Sequence, residues 1–519
     1  MARICVLLLS FLSLLRSQTG PLNGLDEYVA QAMKTFDVPG VAVAVVHNGQ
    51  VELAKGYGVR RMGEPAPVDE HTLFGIASNT KAFTAAALAM LVDEGKLKWD
   101  DPVIDHIEWF QMYDPYVTHE ITIRDLLTHR SGMGLGEGDL LFFPPSSYSR
   151  DEILHRLRFM KPATSFRSRY AYDNLLYLAA GQIIPTVTGQ QWEEFIRDRI
   201  FRPLGMTDSN TSVAGYHAGD NFATPHSKVE GTLTPLAPAR IDNPAPAGAI
   251  NSSVSDMAKW VSVQLNGGAI PGTDKRLFSE RQGKEMWSPQ TILPTPDPPP
   301  GLPALHTDFA AYGLGWFLRE YRGHKFVGHT GGLPGYVSQV TLIPDMKLAV
   351  IVLTNQESGG MFSSVTYRIL DNYMNAPGTD WLKAYHELTQ QQRARGDEAV
   401  NKAAAARAAD SKPSLPLEKY AGHYIDAWYG DIAIALEQGK LVMRFSHTPA
   451  LTGDLEHWQY DTFKARWRDR SLAADAFVTF ALNPDGTIRQ VNMAPVSPLT
   501  DFSYDFQDLL LTPAKAGGR

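Results

Sequence analysis

The sequence predicts an α+β fold, with an antiparallel sheet flanked by helices, followed by an all-β, barrel-like domain near the C-terminal end. Three observations carry this prediction. Strand-like runs lie near 40–59 and 324–355, helical segments lie between them, and short alternating strands follow residue 420. Strands at both ends with helices in between favour one antiparallel sheet over alternating β-α-β units. The order argues against Rossmann and α/β-hydrolase topologies.

The first segment, "MARICVLLLSFLSLLRSQTG", is predicted to be a secretory signal peptide over residues 1–19. Arg3 precedes an apolar run, Ile4 to Leu15, that is too short to span a bilayer. The only cysteine, Cys5, lies inside this segment. We therefore expect an exported protein, periplasmic or extracellular, with no disulfide, no cysteine nucleophile and no zinc–thiolate site.

The strands and helices of the first domain are predicted from local patterns. "GVAVAVVHNGQVELAKGYGV" consists of two β-rich runs around Asn48-Gly49, a strong hairpin signal. The segment 324–355 reads as two strands, a Pro-Asp turn and a third strand, and the Pro-dense segment 288–305 reads as an irregular loop. The predicted helical segments are 79–94, 122–129, 151–159, 173–188, 191–200 and 254–266.

These elements divide the chain into a main domain at 20–377, an Ala-rich, charged helical linker at 378–414 and a small β-domain at 415–519. A barrel is expected for the last domain because closure removes sticky sheet edges. Three roles are open for it: capping an active site, joining copies into a homo-oligomer, or binding a ligand.

The composition is that of an ordinary globular protein, with 44% hydrophobic and 20% charged residues. The net charge is −8 and the pI is near 6.0, which favours neither nucleic acid nor an anionic membrane surface as a partner. A stable membrane span is not expected either.

The stretch "GIASNTKAF" places Ser78 three residues ahead of Lys81 at the start of an apolar helix. The spacing puts both side chains on one face, within reach of each other. A lysine is costly at the start of a buried helix unless it is paired or used, and desolvation there lowers its pKa toward that of a usable base. The alternative is that Ser78 caps the helix while Lys81 reaches solvent.

Two further stretches add polar groups of the kind that serine chemistry needs. "RYAYDNLLYLAAGQII" places Tyr172 and Asn174 at the entrance of another apolar helix, where the alternative role is capping and core packing. "GHTGGLPGY" places His329, Thr330 and two glycines on a strand edge, where backbone N–H groups can approach a ligand. The alternative role for this edge is a β-bulge.

The trio "SNTK", "YDN" and "HTG", in this order, resembles the β-lactamase-related serine hydrolases. That group includes class C β-lactamases, D-Ala-D-Ala carboxypeptidases, D-aminopeptidases and esterases of serine β-lactamase or penicillin-binding-protein-like fold. Supporting matches cover roughly 25–375, and the C-terminal part resembles the lipocalin-like domain appended to some members. The supporting matches are "TIRDLLTHRSGM", "PLGM", "PAGAINSSVSDMAKW", "YGLGW" and "LTN".

The resemblance assigns roles to the reacting groups. It implies Ser78 as the acyl-accepting nucleophile, Lys81 as its activating partner, and Tyr172 as the base or proton shuttle. Asn174 would hold the acyl amide of the substrate. The sequence does not decide whether Lys81 or Tyr172 is the base, because groups with similar ordinary pKa values share protons as a unit.

The same resemblance assigns the third motif. His329 stands where many members have lysine, and Thr330 and Gly331 complete the motif. The oxyanion site would be formed by the backbone N–H groups of Ser78 and Gly332, with Asn355 lining the far wall.

Two positions depart from the family pattern. Asp173 stands where a small residue is usual in "YDN" and adds negative charge near the base, which would help to keep Lys81 protonated. Ala249 stands where a second glycine is common. Neither departure removes a reacting group.

The resemblance implies a two-step acyl transfer through an ester on Ser78, with a small-molecule, peptide or ester substrate as the partner. Because histidine is mostly neutral near pH 7, His329 favours a peptidase or amidase acting on small or D-amino-acid-containing peptides over a dedicated β-lactamase. Two alternatives stay open: a carboxylesterase with the same groups, and a penicillin-binding sensor that is acylated without turnover. No metal and no cofactor are expected, since "HEITI" and "HELTQ" lack the second histidine of a zinc protease.

Overall fold

The structure is a computed structural model that describes residues 20–217 and 219–514. The predicted signal peptide, 1–19, lies outside the described residues and stays a prediction. Within the part of the chain that the structure describes, no helix combines the length and the apolar character that crossing a membrane requires.

The main domain is built on one large sheet. Its strands and those of two small ribbons are β1 (Gly40–His47), β2 (Gln50–Gly58), β3 (Phe74–Gly75), β4 (His226–Val229), β5 (Thr232–Pro235), β6 (Asn251–Ser252), β7 (Thr291–Ile292), β8 (Ala310–Tyr312), β9 (Phe317–Tyr321), β10 (His324–Leu333), β11 (Tyr336–Ile343) and β12 (Leu348–Thr354). Eight strands form an antiparallel sheet in the order β2-β1-β12-β11-β10-β9-β8-β7. The sheet joins strands from both ends of the domain, which confirms the predicted fold class.

Turn chemistry fixes the connection between β1 and β2. Asn48 and Gly49 adopt φ of 51° and 77°, the left-handed conformations of a tight hairpin turn. The loop prediction for 288–305 is right except at Pro303–Leu305, a single 3-10 turn, and at Thr291 and Ile292, which form the short edge strand β7 beside β8. These two residues precede the proline-dense part, so their backbone N–H groups remain able to pair.

The helices lie mainly between the two groups of strands. They are α1 (Leu25–Phe36), α2 (Thr80–Asp93), α3 (Pro115–Glu120), α4 (Ile123–Leu126), α5 (Arg150–Arg156), α6 (Leu175–Thr188), α7 (Trp192–Ile196), α8 (Arg202–Leu204), α9 (Ala245–Gly248), α10 (Val254–Leu265), α11 (Glu280–Met286), α12 (Gly359–Tyr373) and α13 (Trp381–Ala405). Each of the six predicted helical segments contains a helix.

Strand β1 shows how the sheet separates two cores. Its successive side chains point to opposite faces, as the period of two requires. One set packs with α1 and α12: Val41, Val43 and Val45. The other set packs with α2, α6 and α10: Ala42, Ala44 and Val46. Helix α2, which begins just after Ser78, is therefore buried on all sides.

The C-terminal strands close into a barrel, as predicted. They are β13 (Gly422–Asp426), β14 (Gly430–Glu437), β15 (Lys440–Phe445), β16 (Thr452–Gln459), β17 (Thr462–Trp467), β18 (Ala476–Leu482), β19 (Ile488–Pro495) and β20 (Leu510–Pro513). Large side chains fill the interior, among them Tyr429, Phe463 and Trp467. Helix α13 occupies most of the predicted linker; the domain boundaries at 377 and 414 stay predictions.

The barrel packs directly on the helical layer of the main domain. Tyr148 stacks on His447 with ring centroids 3.9 Å apart, and its hydroxyl donates to the Tyr429 carbonyl. The Arg156 guanidinium donates to the Trp428 carbonyl at 2.6 Å. This docking brings the loop between β19 and β20, residues 496–509, over the mouth of the main domain's cavity.

Candidate active site

Ser78 lies in a tight turn, Ala77–Asn79, that leads into α2. Ala77 has φ of 48°, a left-handed conformation that a residue with a Cβ adopts only under constraint. Strand β10 supplies that constraint from the other side. A Cβ on Gly331 would lie 2.1 Å from the Ile76 carbonyl oxygen and 3.0 Å from the Ala77 Cβ. The close approach of β10 therefore holds the turn that presents Ser78.

We expect Gly331→Ala to disturb this turn. The added methyl group has to displace the backbone of Ile76, which should lower the free energy of unfolding by about 1–3 kcal/mol. A shift of Ser78 by about 1 Å should lower kcat/KM by on the order of 10²-fold. Thermal unfolding and ester hydrolysis measure the two effects.

Gly378→Ala is the matched control, since an added Cβ at Gly378 meets nothing within 4 Å. Near-normal activity in Gly331→Ala would contradict the role given to this contact.

Lys81 lies beside Ser78 and is fully buried. Its ammonium nitrogen, Nζ, lies 3.0 Å from Ser78 Oγ, 2.7 Å from Asn174 Oδ1 and 3.0 Å from the Ala247 carbonyl oxygen. The expected pairing of Ser78 with Lys81 is therefore present in the structure, and the alternative in which Lys81 reaches solvent is wrong.

Burial lowers the pKa of Lys81 to about 7, although the buried carboxyls of Asp139 and Asp173 act in the opposite direction. Lys81 is therefore neutral in a large fraction of the molecules near pH 7. In that form Nζ has a lone pair with which to accept the Ser78 proton.

Tyr172 approaches Ser78 from the loop before α6. Its hydroxyl donates to Ser78 Oγ at 2.7 Å, and burial raises its pKa above the ordinary value. Tyr172 is thus a neutral phenol whose proton is directed at Ser78 Oγ. Lys81 Nζ lies 4.8 Å from the centre of its ring.

Asn174 connects Lys81 to a residue that the sequence did not single out. Asn174 Oδ1 accepts from Lys81, and Nδ2 donates to Asp139 Oδ2 at 2.9 Å. Asp139 is fully buried, and burial raises its pKa to about 8.

His329 lines the same cavity as Ser78, but both of its ring nitrogens already take part in hydrogen bonds. A carbonyl oxygen can only accept, so Nδ1 carries the hydrogen and donates to Thr330 O at 2.6 Å. Nε2 then accepts from the Tyr312 hydroxyl at 2.9 Å. Burial, reinforced by the nearby Lys81, lowers the pKa of His329 to about 3. His329 is a neutral, fixed part of the wall, in line with the expectation of a neutral group here.

The rest of the third motif lies along the open edge of β10. Strand β9 pairs with β10 only as far as Gly328, so the following residues have no strand partner on that side within the described sheet. Thr330 and Gly332 line the cavity there, and an added Cβ on Gly332 would meet nothing within 4 Å. This edge is where the oxyanion donor predicted at Gly332 lies.

Asn355 corrects one expectation. Its side chain is fully buried: Oδ1 accepts from the Gly40 N–H at 2.7 Å, and Nδ2 donates to the Arg60 carbonyl at 3.0 Å. Both groups are used to fasten β1 to the loop after β2. Asn355 is absent from the residues that line the described cavity, so it belongs to the framework of the sheet.

Asp173 acts mainly at the start of α6. Its carboxylate accepts from the Leu176 N–H at 3.2 Å and lies 3.4 Å from Ser131 Oγ. Burial raises its pKa to about 7. Its charge raises the pKa of Lys81, as expected, but desolvation of Lys81 is the larger effect.

Ser78 opens into a cavity of about 620 Å³ to which both domains contribute. Its main-domain wall includes Phe142, Tyr170 and Phe317. The barrel closes the other side with residues from two loops: Ser471, Leu472, Ala473, Leu499, Asp501, Phe502, Ser503 and Tyr504. Of the three roles considered for the β-domain, capping the site is the one for which the structure provides contacts.

Three groups at this site were missed by the sequence analysis. The Ala247 carbonyl leaves no mark in a sequence, because every residue has one. Asp139 follows the glycine-rich "GMGLGEG", and an acidic residue directly before two leucines, Leu140 and Leu141, was the available signal. Ser503 lies 364 residues away from Asp139 and had no signal of its own.

Comparisons with known proteins identify the family of the chain. The family model described as "Beta-lactamase" matches residues 25–373, about two thirds of the chain. The chain belongs to this family. A second model, "Domain of unknown function (DUF3471)", matches residues 406–513 of this beta-lactamase family member, the part that contains the barrel.

Named relatives extend over both parts of this family member. It is 29% identical over 506 residues to "Unguisins hydrolase ungD" of Aspergillus violaceofuscus (strain CBS 115571), covering 91% of this chain and 88% of that protein. The corresponding protein ungD' of Aspergillus campestris (strain IBT 28561) is 30% identical over 493 residues, with coverages of 90% and 88%. "Protein flp" of Staphylococcus aureus (strain NCTC 8325 / PS 47) is 27% identical over 349 residues, covering 64% of this chain and 63% of that protein.

Solved structures support the fold. The octameric penicillin-binding protein homologue from Pyrococcus abyssi aligns with a TM-score of 0.60 at 22% identity, covering 94% of this chain and 98% of that chain. The crystal structure of SurE aligns with a TM-score of 0.54 at 18% identity, with coverages of 95% and 98%.

Proposed function

We propose that this protein is a serine hydrolase that acts through an acyl-enzyme on Ser78, with small peptides or amides as its substrates. One observation carries the proposal: Ser78 Oγ lies 3.0 Å from Lys81 Nζ and 2.7 Å from the Tyr172 hydroxyl, at the wall of a large cavity. A nucleophile between a base and an acid is the arrangement that acyl transfer requires.

The protonation states of the two side chains support Lys81 as the base and Tyr172 as the acid. Neutral Lys81 takes the Ser78 proton while Oγ bonds to the substrate carbonyl carbon. The resulting oxyanion is held by the backbone N–H groups of Ser78 and Gly332. As the carbonyl re-forms, the bond to the leaving nitrogen breaks, and Tyr172 gives its proton to that nitrogen. The proton on Lys81 then returns to Tyr172. Water takes the place of the departed amine and releases the acyl group from Ser78 through the same proton transfers in reverse order.

The charge of the cavity bears on substrate choice. Among the described residues that line it, Glu357 and Asp501 carry carboxyl groups and none is lysine or arginine. His329, which occupies the position of a cationic group in many family members, is held neutral. A substrate carboxylate would face negative charge here, which supports a peptide or amide without a required carboxylate over a β-lactam or a C-terminal D-alanine.

The relatives support a hydrolase in the same sense. The two proteins named as unguisins hydrolases match about nine tenths of this chain, so the resemblance includes the barrel that caps the cavity. We infer hydrolase activity for this chain as well, and the substrate panel below tests which class of bond it cleaves.

A substrate panel tests the proposal. We expect hydrolysis of D-alanine p-nitroanilide, and we expect D-Ala-D-Ala amide to be cleaved with a kcat/KM at least about tenfold above that of D-Ala-D-Ala with a free carboxylate, because like charges repel. The Ser78→Ala variant is the blank for each substrate. A preference for the free carboxylate would contradict the charge argument.

Two other outcomes favour the alternatives. Cleavage of p-nitrophenyl butyrate without any cleavage of the anilide would favour a carboxylesterase, which uses the same Ser78, Lys81 and Tyr172. A permanent label from a fluorescent penicillin, without turnover of any substrate in the panel, would favour a sensor.

A further inference from the structure

We propose that Asp139 is a positioning residue for Lys81, and that the barrel completes its environment through Ser503. The inference rests on the proposed function, in which Lys81 activates Ser78. It assigns a part in the reaction to two residues that lie outside the three motifs, one of them contributed by the C-terminal domain.

A continuous chain of hydrogen bonds carries the inference. Ser503 Oγ donates to Asp139 Oδ2 at 2.9 Å, Asn174 Nδ2 donates to the same oxygen at 2.9 Å, and Lys81 donates to Asn174 Oδ1 at 2.7 Å. Lys81 and Asp139 are fully buried, and Asn174 and Ser503 are each only 9% exposed. Lys81 and Asp139 are therefore shielded from solvent, while Asn174 and Ser503 also border the cavity, and each partner depends on its neighbours.

Asp139 decides which way the Asn174 amide faces. An amide has an acceptor at one end and donors at the other. With Asp139 Oδ2 as an acceptor, the NH₂ end turns to Asp139 and the oxygen turns to Lys81. Without that acceptor, the opposite orientation would place N–H groups against the lysine nitrogen. The carboxyl thus keeps an acceptor beside Lys81, and Lys81 stays directed at Ser78.

Asp139 can fulfil this role in either protonation state. Oδ2 accepts both hydrogen bonds, whereas the buried Oδ1 has no partner among the described residues. A proton on the carboxyl therefore belongs on Oδ1, which leaves Oδ2 free to accept. The role of Asp139 is consequently that of an acceptor, and an uncharged acceptor of the same shape should replace it.

The barrel loop holds Asp139 from both sides. The Asp505 carboxylate accepts from the Gly138 N–H at 2.6 Å and from the Leu140 N–H at 3.1 Å, the residues before and after Asp139. Phe502 of the same loop packs edge-on against the Tyr172 ring, with centroids 6.0 Å apart. One loop of the second domain therefore contacts both Asp139, which positions Lys81, and the Tyr172 ring.

The test compares four variants of the full chain, with p-nitrophenyl butyrate as the probe: Asp139→Ala, Asp139→Asn, Ser503→Ala and, as a matched control, Ser497→Ala. Ser497 lies on the same loop, and its hydroxyl accepts only from the nearby Leu499 N–H among the described contacts. Each variant is measured for kcat, KM and thermal unfolding.

We expect Asp139→Ala to lower kcat about 100-fold and Ser503→Ala about tenfold, with KM changed less than threefold in both. Asp139→Asn should keep kcat within about threefold of wild type, although its buried NH₂ group lacks a partner and lowers the melting temperature. Activity and stability would then separate, which a merely structural role does not predict. Ser497→Ala should match wild type.

Two results would overturn the inference: wild-type kcat in both Asp139→Ala and Ser503→Ala, or losses in Asp139→Asn as deep as those in Asp139→Ala. If Asp139→Ala does not fold, the two other variants decide: wild-type kcat in Ser503→Ala, or a loss of more than about tenfold in kcat in Asp139→Asn, would overturn the inference. Failure of the proposed function is seen separately, because Ser78→Ala would then hydrolyse the probe as fast as wild type.

Discussion

Ser78→Ala is expected to remove acylation and to lower kcat/KM by on the order of 10⁶-fold, the size of loss that follows removal of a hydrolase nucleophile. The fold should persist. Ser78 lies at the cavity surface, and its Oγ accepts from Lys81 and Tyr172 without supporting another element. Lys81 keeps its contacts with Asn174 and the Ala247 carbonyl in the variant.

Intact-protein mass spectrometry after incubation with a fluorophosphonate measures this prediction. Wild type should gain one adduct at Ser78, and the variant none. Ser168→Ala is a suitable control, since Ser168 is exposed and its hydroxyl donates to the nearby Ser165 carbonyl. An adduct of equal yield on Ser78→Ala would place the nucleophile elsewhere.

Lys81→Met is expected to lower kcat by about 10³- to 10⁴-fold, because methionine fills much of the same space and cannot accept a proton. The wild-type enzyme should also show a pH dependence set by Lys81. Its pKa is lowered to about 7, and the neutral form is the base. The value of kcat/KM should therefore fall about tenfold per pH unit below about 7 and level off above it.

Tyr172→Phe separates the base from the acid. The kcat of this variant should be about 10²-fold or more below that of wild type. Because the variant keeps Lys81, its activity should still fall below about pH 7. The residual activity of Lys81→Met should lack that fall. If Lys81→Met keeps the same pH profile as wild type, another group is the base.

Much of the fold was predictable because it is encoded locally. The Asn48-Gly49 turn, the apolar runs of α2 and α6 and the alternation in the barrel strands are each readable within a window of a few residues. The edge strand at Thr291 was missed because its pairing depends on a distant strand, β8, which no local pattern specifies.

The reacting groups were predictable for a different reason. Ser78 and Lys81 are three residues apart across the turn that leads into α2, so local spacing places the two side chains close together. The roles of Ser78, Lys81 and Tyr172 came from the resemblance to the family. Asn355 was assigned to the wrong place, and Asp139 was not singled out. A sequence shows that a side chain is polar but does not show which distant group it will bind. In the structure Asn355 meets the Gly40 N–H, and Asp139 meets a loop of another domain.

The position of Leu499 has a consequence for redesign. Its side chain sits against Gly396 of α13, where an added Cβ would lie 2.4 Å away, and it also lines the cavity. The loop is thus anchored on a helix that carries none of the reacting groups. A library of changes at Leu499 alone would alter which substrates fit while leaving Phe502, Ser503 and the turn at Ser78 unchanged, so a new selectivity can be sought without altering the groups that act in the reaction.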